Sequence, residues 1–157
     1  MKKKKLLKIA LILVVAGIII GGSVGLYMFF MPHRDVQKAK TDFHLTASGL
    51  VDEYLADRTA ANTKYLAADG NSKILEVTGT VARISNDFQG NKVVELNENG
   101  DKAGVNFTFM PGTNANAEKL QKGQKVTIKG VIRSGASYDP DLEMYLNAVV
   151  EKSDVVE

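Results

Sequence analysis

The 157-residue chain contains no cysteine, which removes thiol nucleophiles, thiolate metal ligands and disulfides from its chemistry. Its two histidines, His33 and His44, are too few for a histidine metal cluster, and both precede the stretch that reads as strands. Carboxylates, hydroxyls and lysines remain. Asp139 and Asp141 flank Pro140 and have the types needed for a cation site or a paired-acid centre, as does Asn97-Glu-Asn-Gly-Asp101. Calcium loops recruit more oxygens at fixed spacing, and Asp or Asn beside Gly or Pro is above all a turn former. Both stretches therefore read first as solvated turns. Asn106-Phe-Thr108 fits a glycosylation acceptor but falls within a predicted strand. No nucleophile, base and orienting group converge, so the expectation is a non-enzymatic protein with no metal and no cofactor.

Side chains suited to binding are easier to find. Phe88 and Tyr138 fall in two predicted loops, and Lys92 lies close to the first. Loop aromatics are common anchors in recognition, although each of these is equally well placed to fold back over the core. Asn106 and Thr108 point outward from a predicted strand, beside Val93 and Glu95 on its neighbour. Phe88, Lys92, Asn106, Thr108 and Tyr138 form the candidate ligand-binding set.

These residues depend on a strand scaffold that starts at Leu75-Glu-Val-Thr-Gly-Thr-Val-Ala-Arg-Ile84. Leu75, Val77, Gly79 and Val81 share one parity, the pattern of a half-buried strand. The pattern slips at Arg83, and with Gly79 inside the strand this predicts a bend or bulge. Lys92–Leu96, Val105–Met110, Lys125–Arg133 and Leu142–Val150 read as four further strands, the last with Leu142, Met144, Leu146, Ala148 and Val150 inward. A short helix within 114–121, capped by Asn116 and closed by Gly123, is expected between the third and fourth. Residues 43–66 read as two helical pieces, and Asp69-Gly-Asn-Ser72 turns the chain into the first strand. Residues 151–157 read as frayed.

Five strands with a helix between the third and fourth is the order of an OB-fold. The predicted fold is mainly β: a five-stranded OB-fold barrel with preceding helices and an N-terminal transmembrane helix. Another five-stranded barrel or an open sandwich fits the same pattern.

Ile9 to Met31 is a run of 23 residues without a charge, about 34 Å as a helix and enough for a hydrocarbon core of about 30 Å. Residues 1–37 hold six cations (Lys2, Lys3, Lys4, Lys5, Lys8 and Arg34) against Asp35, a net +5. The overall formal charge is +2, so the remainder carries −3. By the positive-inside rule the N-terminus stays cytoplasmic and the C-terminal domain lies outside. A cleaved secretory signal is the alternative, against which stand the length of the run and the lack of an A-x-A site. The expected organisation is a basic tail (1–8), an anchor in the lipid bilayer (9–31), a linker (32–42), a helical lead-in (43–70), the barrel (71–152) and a tail (153–157). Gly17, Gly21 and Gly25 have the small-xxx-small spacing, which membrane helices also show simply through their glycine content.

Ala61-Asn-Thr-Lys-Tyr65, Leu75-Glu-Val-Thr-Gly-Thr-Val81, Leu120-Gln-Lys-Gly-Gln-Lys-Val-Thr-Ile-Lys-Gly130 and Tyr145-Leu-Asn-Ala148 resemble the tRNA_anti-like OB-fold family over about residues 50–152. The resemblance implies fold kinship with tRNA-anticodon-binding domains and membership among secreted or membrane-anchored proteins of undefined role. Members often carry a cysteine in the third and last strands; here those places fall at Asn106 or Phe107 and at Ala148, so no role for such a pair carries over. A single anchor before an exported OB-fold also resembles the cytochrome c maturation haem chaperones. Those proteins attach haem through a histidine after the last strand, where this chain reads Val149-Val-Glu-Lys-Ser-Asp-Val-Val-Glu157. Haem attachment does not carry over.

OB-folds bind nucleic acid with stacking aromatics and a basic groove across the second and third strands. Here the outward positions are Val93, Glu95, Asn106 and Thr108, and residues 73–152 are electrically balanced, so nucleic acid is not the expected partner. The expectation is a binding or assembly module, membrane-anchored and extracytoplasmic (periplasmic in a Gram-negative cell). Its partner would be an envelope protein, glycan or small ligand. The alternative is a single-stranded nucleic-acid or tRNA-binding OB-fold.

Overall fold

The structure, a computed structural model, describes residues 2–30 and 34–157. Met31, the expected end of the span, and Pro32 and His33, the expected start of the linker, lie outside the described residues. Two compact units are present, one ending at Arg34 and one running from Asp35 to Glu157.

The first unit is the helix α1 (Lys2–Phe30), apolar on all sides beyond its lysines. Its stretch Lys3–Phe30 is long and apolar enough to cross a membrane, and its apolar window is not buried in the protein.

The second unit comprises β1 (Phe43–Thr46), α2 (Ala47–Ala56), α3 (Arg58–Tyr65), β2 (Ile74–Asn86), β3 (Lys92–Leu96), β4 (Val105–Phe109), α4 (Asn114–Glu118), β5 (Lys125–Ser134), β6 (Ser137–Asp139), β7 (Met144–Leu146) and β8 (Ala148–Val155). Strands β2, β3, β4, β8 and β5 follow one another in that order, and β5 pairs back onto β2 to close the barrel. This is the five-stranded OB barrel. Strand β2 can serve both ends because it is long: Ile74–Thr80 pair with β5 and Val81–Asn86 with β3. The register shifts between Val81 and Arg83. That bulge accounts for the parity slip in the sequence, and it brings Ile84 opposite buried Val94.

The core draws on one face of each barrel strand, including Leu75, Val77, Val94, Leu96, Phe107 and Ile128. Helix α2 closes one end of the barrel, with Leu50, Val51 and Tyr54 in the same cluster. Gly79 makes this possible, because a Cβ there would lie 2.9 Å from the Cβ of Ala47 and 3.2 Å from that of Leu96. Caps fix the two helices: Thr46 Oγ1 accepts from Gly49 N, and Asp57 Oδ1 accepts from Ala60 N.

Five sequence expectations change here. Residues 43–46 are not helical but form β1, parallel to Leu75–Thr78, and Phe43 meets the Tyr65 ring edge-on at 5.3 Å. Residues 35–42 are not a free linker. Val36 is buried with Ile74 and Val131, Gln37 Nε2 donates to the carbonyls of Lys129 and Lys152, and Lys129 Nζ donates to those of Gln37 and Ala39. Leu142, Met144 and Leu146 do not face the core. They are exposed on the β6–β7 hairpin, whose turn includes Glu143 at φ +51°, and the last barrel strand starts only at Ala148. That strand runs on to Val155 through buried Ser153, so residues 151–155 are not frayed. Asn116 is not the cap of α4, which Thr113 precedes; its Nδ2 donates to Asp154 Oδ1 instead.

Candidate functional site

The outer face of β2, β3 and β4 lies where OB-folds commonly receive ligands. Arg83, Glu95 and Asn106 lie side by side across it, followed by Ser85, Val93 and Thr108. Its polar groups engage one another. The Arg83 guanidinium donates from Nε to Glu95 Oε2 at 3.0 Å and approaches it from Nη2 at 3.0 Å. Asn147 Nδ2 donates to Asn106 Oδ1 at 3.2 Å, and Asn147 Oδ1 accepts from Gly104 N. Away from this face, Arg133 of β5 pairs with Glu151 of β8 at 2.7 Å. The outward positions of β3 and β4 carry no aromatic side chain for a base to stack on.

Lys92 does not join this face. It has the parity of buried Val94 and Leu96, and its Nζ sits 3.4 Å from Glu118 of α4.

Beyond one end of the face lies the loop 87–91 between β2 and β3. Asp87 holds it almost alone: Oδ1 accepts from the backbone N–H groups of Gln89 and Asn91, both at 2.8 Å, and Oδ2 accepts from Asn91 Nδ2 at 3.0 Å. Backbone bonds from Asp87 N to Asn91 O and from Gly90 N to Asp87 O complete the turn, with Gly90 at φ +83°. These donors, Asn91 first, hold the Asp87 carboxyl below the usual carboxylate range. On this fixed loop the Phe88 side chain is fully exposed. It stands at a cleft of about 460 Å³ lined also by Thr108, Met110, Pro111, Glu151 and Lys152.

Tyr138 belongs to a different cleft. Register on the β6–β7 hairpin places it opposite Tyr145, with ring centroids 5.0 Å apart. Together with Tyr54, Arg58, Lys102 and Ser137 they line about 370 Å³. Lys102 Nζ sits 5.7 Å from the Tyr145 ring centroid. Tyr54 is buried and its hydroxyl has no hydrogen-bond partner; burial pushes its pKa up to about 12. Its ring stacks on Tyr65 at 5.9 Å, and a Cβ on Gly135 would run into it. Tyr65, by contrast, donates to Glu53 Oε2 at 2.8 Å. Bonds from Lys64, then from Tyr65, keep the Glu53 carboxyl below its ordinary range.

The five candidate residues are thus divided among four places: Phe88 and Thr108 share a cleft, Tyr138 lines another, Asn106 lies on the sheet face and Lys92 turns to α4. The carboxylate pairs that invited a catalytic reading are occupied in turns. Asp139 Oδ1 accepts from the N–H groups of Asp141 and Leu142, and Asp101 Oδ2 accepts from Ser48 Oγ and Glu98 N. Among the described residues no group of three or more His, Asp or Glu could hold a metal ion. Sequence reading missed Arg58, Lys102 and Tyr145. Tyr145 had a signal, since the turn 139–143 sets it across from Tyr138.

A family model described as tRNA_anti-like matches residues 1–142. The match thus includes α1 and ends before β7 and β8. Among solved structures, a protein of Klebsiella pneumoniae subsp. pneumoniae MGH 78578, proposed by its name to be a nucleic acid-binding lipoprotein, is 18% identical at a TM-score of 0.55. That alignment covers 80% of this chain and 100% of the other, and it shows a shared fold. The S. pombe Stn1-ten1 complex is similar at 14% identity and a TM-score of 0.37, covering 56% of this chain and 62% of that one. Entamoeba histolytica asparaginyl-tRNA synthetase is similar at 15% identity and a TM-score of 0.37, covering 54% and 20%. No curated protein matches the chain.

Proposed function

The chain belongs to the tRNA_anti-like family, and from that premise we propose that it is a membrane-anchored, non-enzymatic OB-fold module. It holds its barrel outside the cytoplasm and binds a protein of the cell envelope through the 87–91 loop. One observation carries this reading: Phe88 is fully exposed on a loop that Asp87 fixes in place. Leaving an aromatic ring in water forgoes about 2 kcal/mol of burial. A ring held there by a preorganised turn is a ready anchor for an apolar pocket on a partner, because little conformational entropy is lost on docking. The adjoining Met110 and Pro111 extend the apolar contact, and Lys152 and Glu151 supply a polar rim. Helix α1 supports the anchoring by its length and apolarity, and its lysines support an N-terminus on the cytoplasmic side.

The test is in-cell photo-crosslinking from position 88 in the full-length protein, with the exposed Lys122 as the reference position. One recurrent envelope protein captured from 88 and not from 122 is the expected result. Equal capture from both positions, or none from 88 in a folded and anchored protein, contradicts the proposal.

Single-stranded nucleic acid is the second reading, favoured by the name of the Klebsiella neighbour and by the OB barrel itself. The ion-paired Arg83 and Arg133 weigh against it. It predicts oligonucleotide affinity that falls steeply with salt; a flat, negligible signal at low salt removes it.

A further inference from the structure

We infer that the cleft between α2, α3 and the β6–β7 hairpin binds a sugar ring bearing a phosphate or carboxylate group. Arg58 and Lys102 would hold the anion, Tyr138 and Tyr145 would pack on the ring, and the Tyr54 hydroxyl would supply a hydrogen bond. The site shares no lining residue with the Phe88 cleft and does not rest on the reading given for it.

Three observations carry the inference. The first is charge. Arg58 and Lys102 are both exposed, and neither is in a salt bridge among the described residues. The acids beside them in sequence are already engaged: Asp57 accepts from Ala60 N, and Asp101 accepts from Ser48 Oγ and Glu98 N. Arg83 and Arg133 on the barrel have carboxylate partners, whereas the lining of this cleft brings two cations together with no Asp or Glu. They offer charge-assisted donors to a phosphate or carboxylate.

The second is the wall itself. Tyr138 and Tyr145 are tilted by 58° with centroids 5.0 Å apart. They present ring surface and hydroxyls together, which suits the apolar C–H face and polar rim of a sugar. The volume of about 370 Å³ falls within the range of small-ligand sites and admits one or two sugar rings.

The third is Tyr54. Its hydroxyl is buried and unpartnered, and Tyr54 is one of the residues that line the cleft. Buried hydroxyls nearly always find a partner, so an unpaired one on a cleft wall marks a place where a ligand oxygen completes the structure.

Calorimetric titration of the full-length protein in nanodiscs of zwitterionic lipid, with glucose 6-phosphate, glucuronate and glucose as probes, tests this. At least one of the two anions should bind tenfold or more tightly than glucose, and which one does so identifies the anionic group. The double variant R58Q/K102Q should lose tenfold or more of that affinity, both residues being exposed so that the fold is retained. Y54F, which keeps the ring, should weaken the anion about fivefold, the loss of one hydrogen bond. Equal affinity for the anions and glucose, no binding of either anion, or unchanged affinity in the double variant overturns the proposal. A Y54F protein that binds as tightly as the wild type overturns the role given to its hydroxyl.

Discussion

Tyr54 and Tyr65 stack on each other in the same core cluster, yet removing the hydroxyl from each should change stability in opposite directions. In Tyr54→Phe the ring stays, so its packing against Tyr65 and Gly135 is kept, and the only group lost is a buried hydroxyl with no partner. An unsatisfied buried polar group costs about 1–3 kcal/mol, so the variant should gain about 1 kcal/mol. For a domain of this size that is a rise of about 3–5 °C in melting temperature. In Tyr65→Phe the lost hydroxyl donates to Glu53 Oε2. Glu53 is partly exposed, and the expected cost is held to about 1 kcal/mol for that reason. The Tyr54 ionisation supplies a second readout. An ordinary tyrosine ionises near 10.0, whereas Tyr54 in the fold does so at about 12. The folded state therefore keeps its proton longer. The associated stability is complete below pH 10 and is lost as pH rises from 10 towards 12. Tyr54→Phe removes part of that alkaline loss. Thermal melts of wild type and both variants at pH 7 and pH 11 check all of this. A Tyr54→Phe variant destabilised by 1 kcal/mol or more at pH 7 would show that the hydroxyl has a partner in solution, and the reasoning would fail.

Other expectations follow from the same geometry. Gly130→Ala places a Cβ 2.6 Å from Val150 Cγ1 and 2.8 Å from the Glu151 carbonyl, and should cost about 1–3 kcal/mol in urea unfolding; a neutral result would mean that β5 and β8 part more easily than their pairing implies. Val36→Ala should cost about 1–2 kcal/mol, because residues 35–42 are docked on the barrel, whereas a true linker would register no change. The 87–91 loop should hold its shape from neutral pH down to pH 5. The Asp87 carboxyl titrates below its ordinary 3.8 in the fold, so the order it confers is present above that value and lost only as pH falls through the lower one. Backbone amide shifts of Gln89 and Asn91 followed by NMR report it, and movement between pH 7 and pH 5 would contradict the assignment.

Much of the barrel could be read from the chain because its strands alternate openly. The slip at Arg83 is itself the bulge, since one extra residue changes the parity of everything after it. Lys92 was legible in the same way, sharing parity with Val94 and Leu96. The β6–β7 hairpin was not. Leu142, Met144, Leu146, Ala148 and Val150 alternate without interruption, and alternation is the same whether a strand joins a barrel or a small exposed hairpin. What separates the two is Asn147, whose amide ties the β7–β8 junction to Gly104 and Asn106. Strand β1 was hidden because four residues are too few to show a period. The cationic cleft beside Tyr138 was hidden because Arg58, Lys102 and Tyr145 are brought together only by tertiary packing. Phe88 could be placed in a loop from sequence, but whether its ring turned inward depended on Asp87 and its three bonds to the loop.

The absence of cysteine from the chain makes the central claim directly measurable. Single cysteines would be placed at Gln89, exposed beside Phe88 on the same cleft, and at Lys122 in the full-length protein, and each would be treated with a membrane-impermeant maleimide in intact cells or spheroplasts. An exported module whose 87–91 loop is held by a partner predicts that the Lys122 cysteine is labelled without lysis. The Gln89 cysteine should be protected in cells and become fully reactive once the protein is purified. Labelling of the Lys122 cysteine only after lysis would put the barrel in the cytoplasm, and equal labelling of both positions in cells would leave the Phe88 loop without a partner.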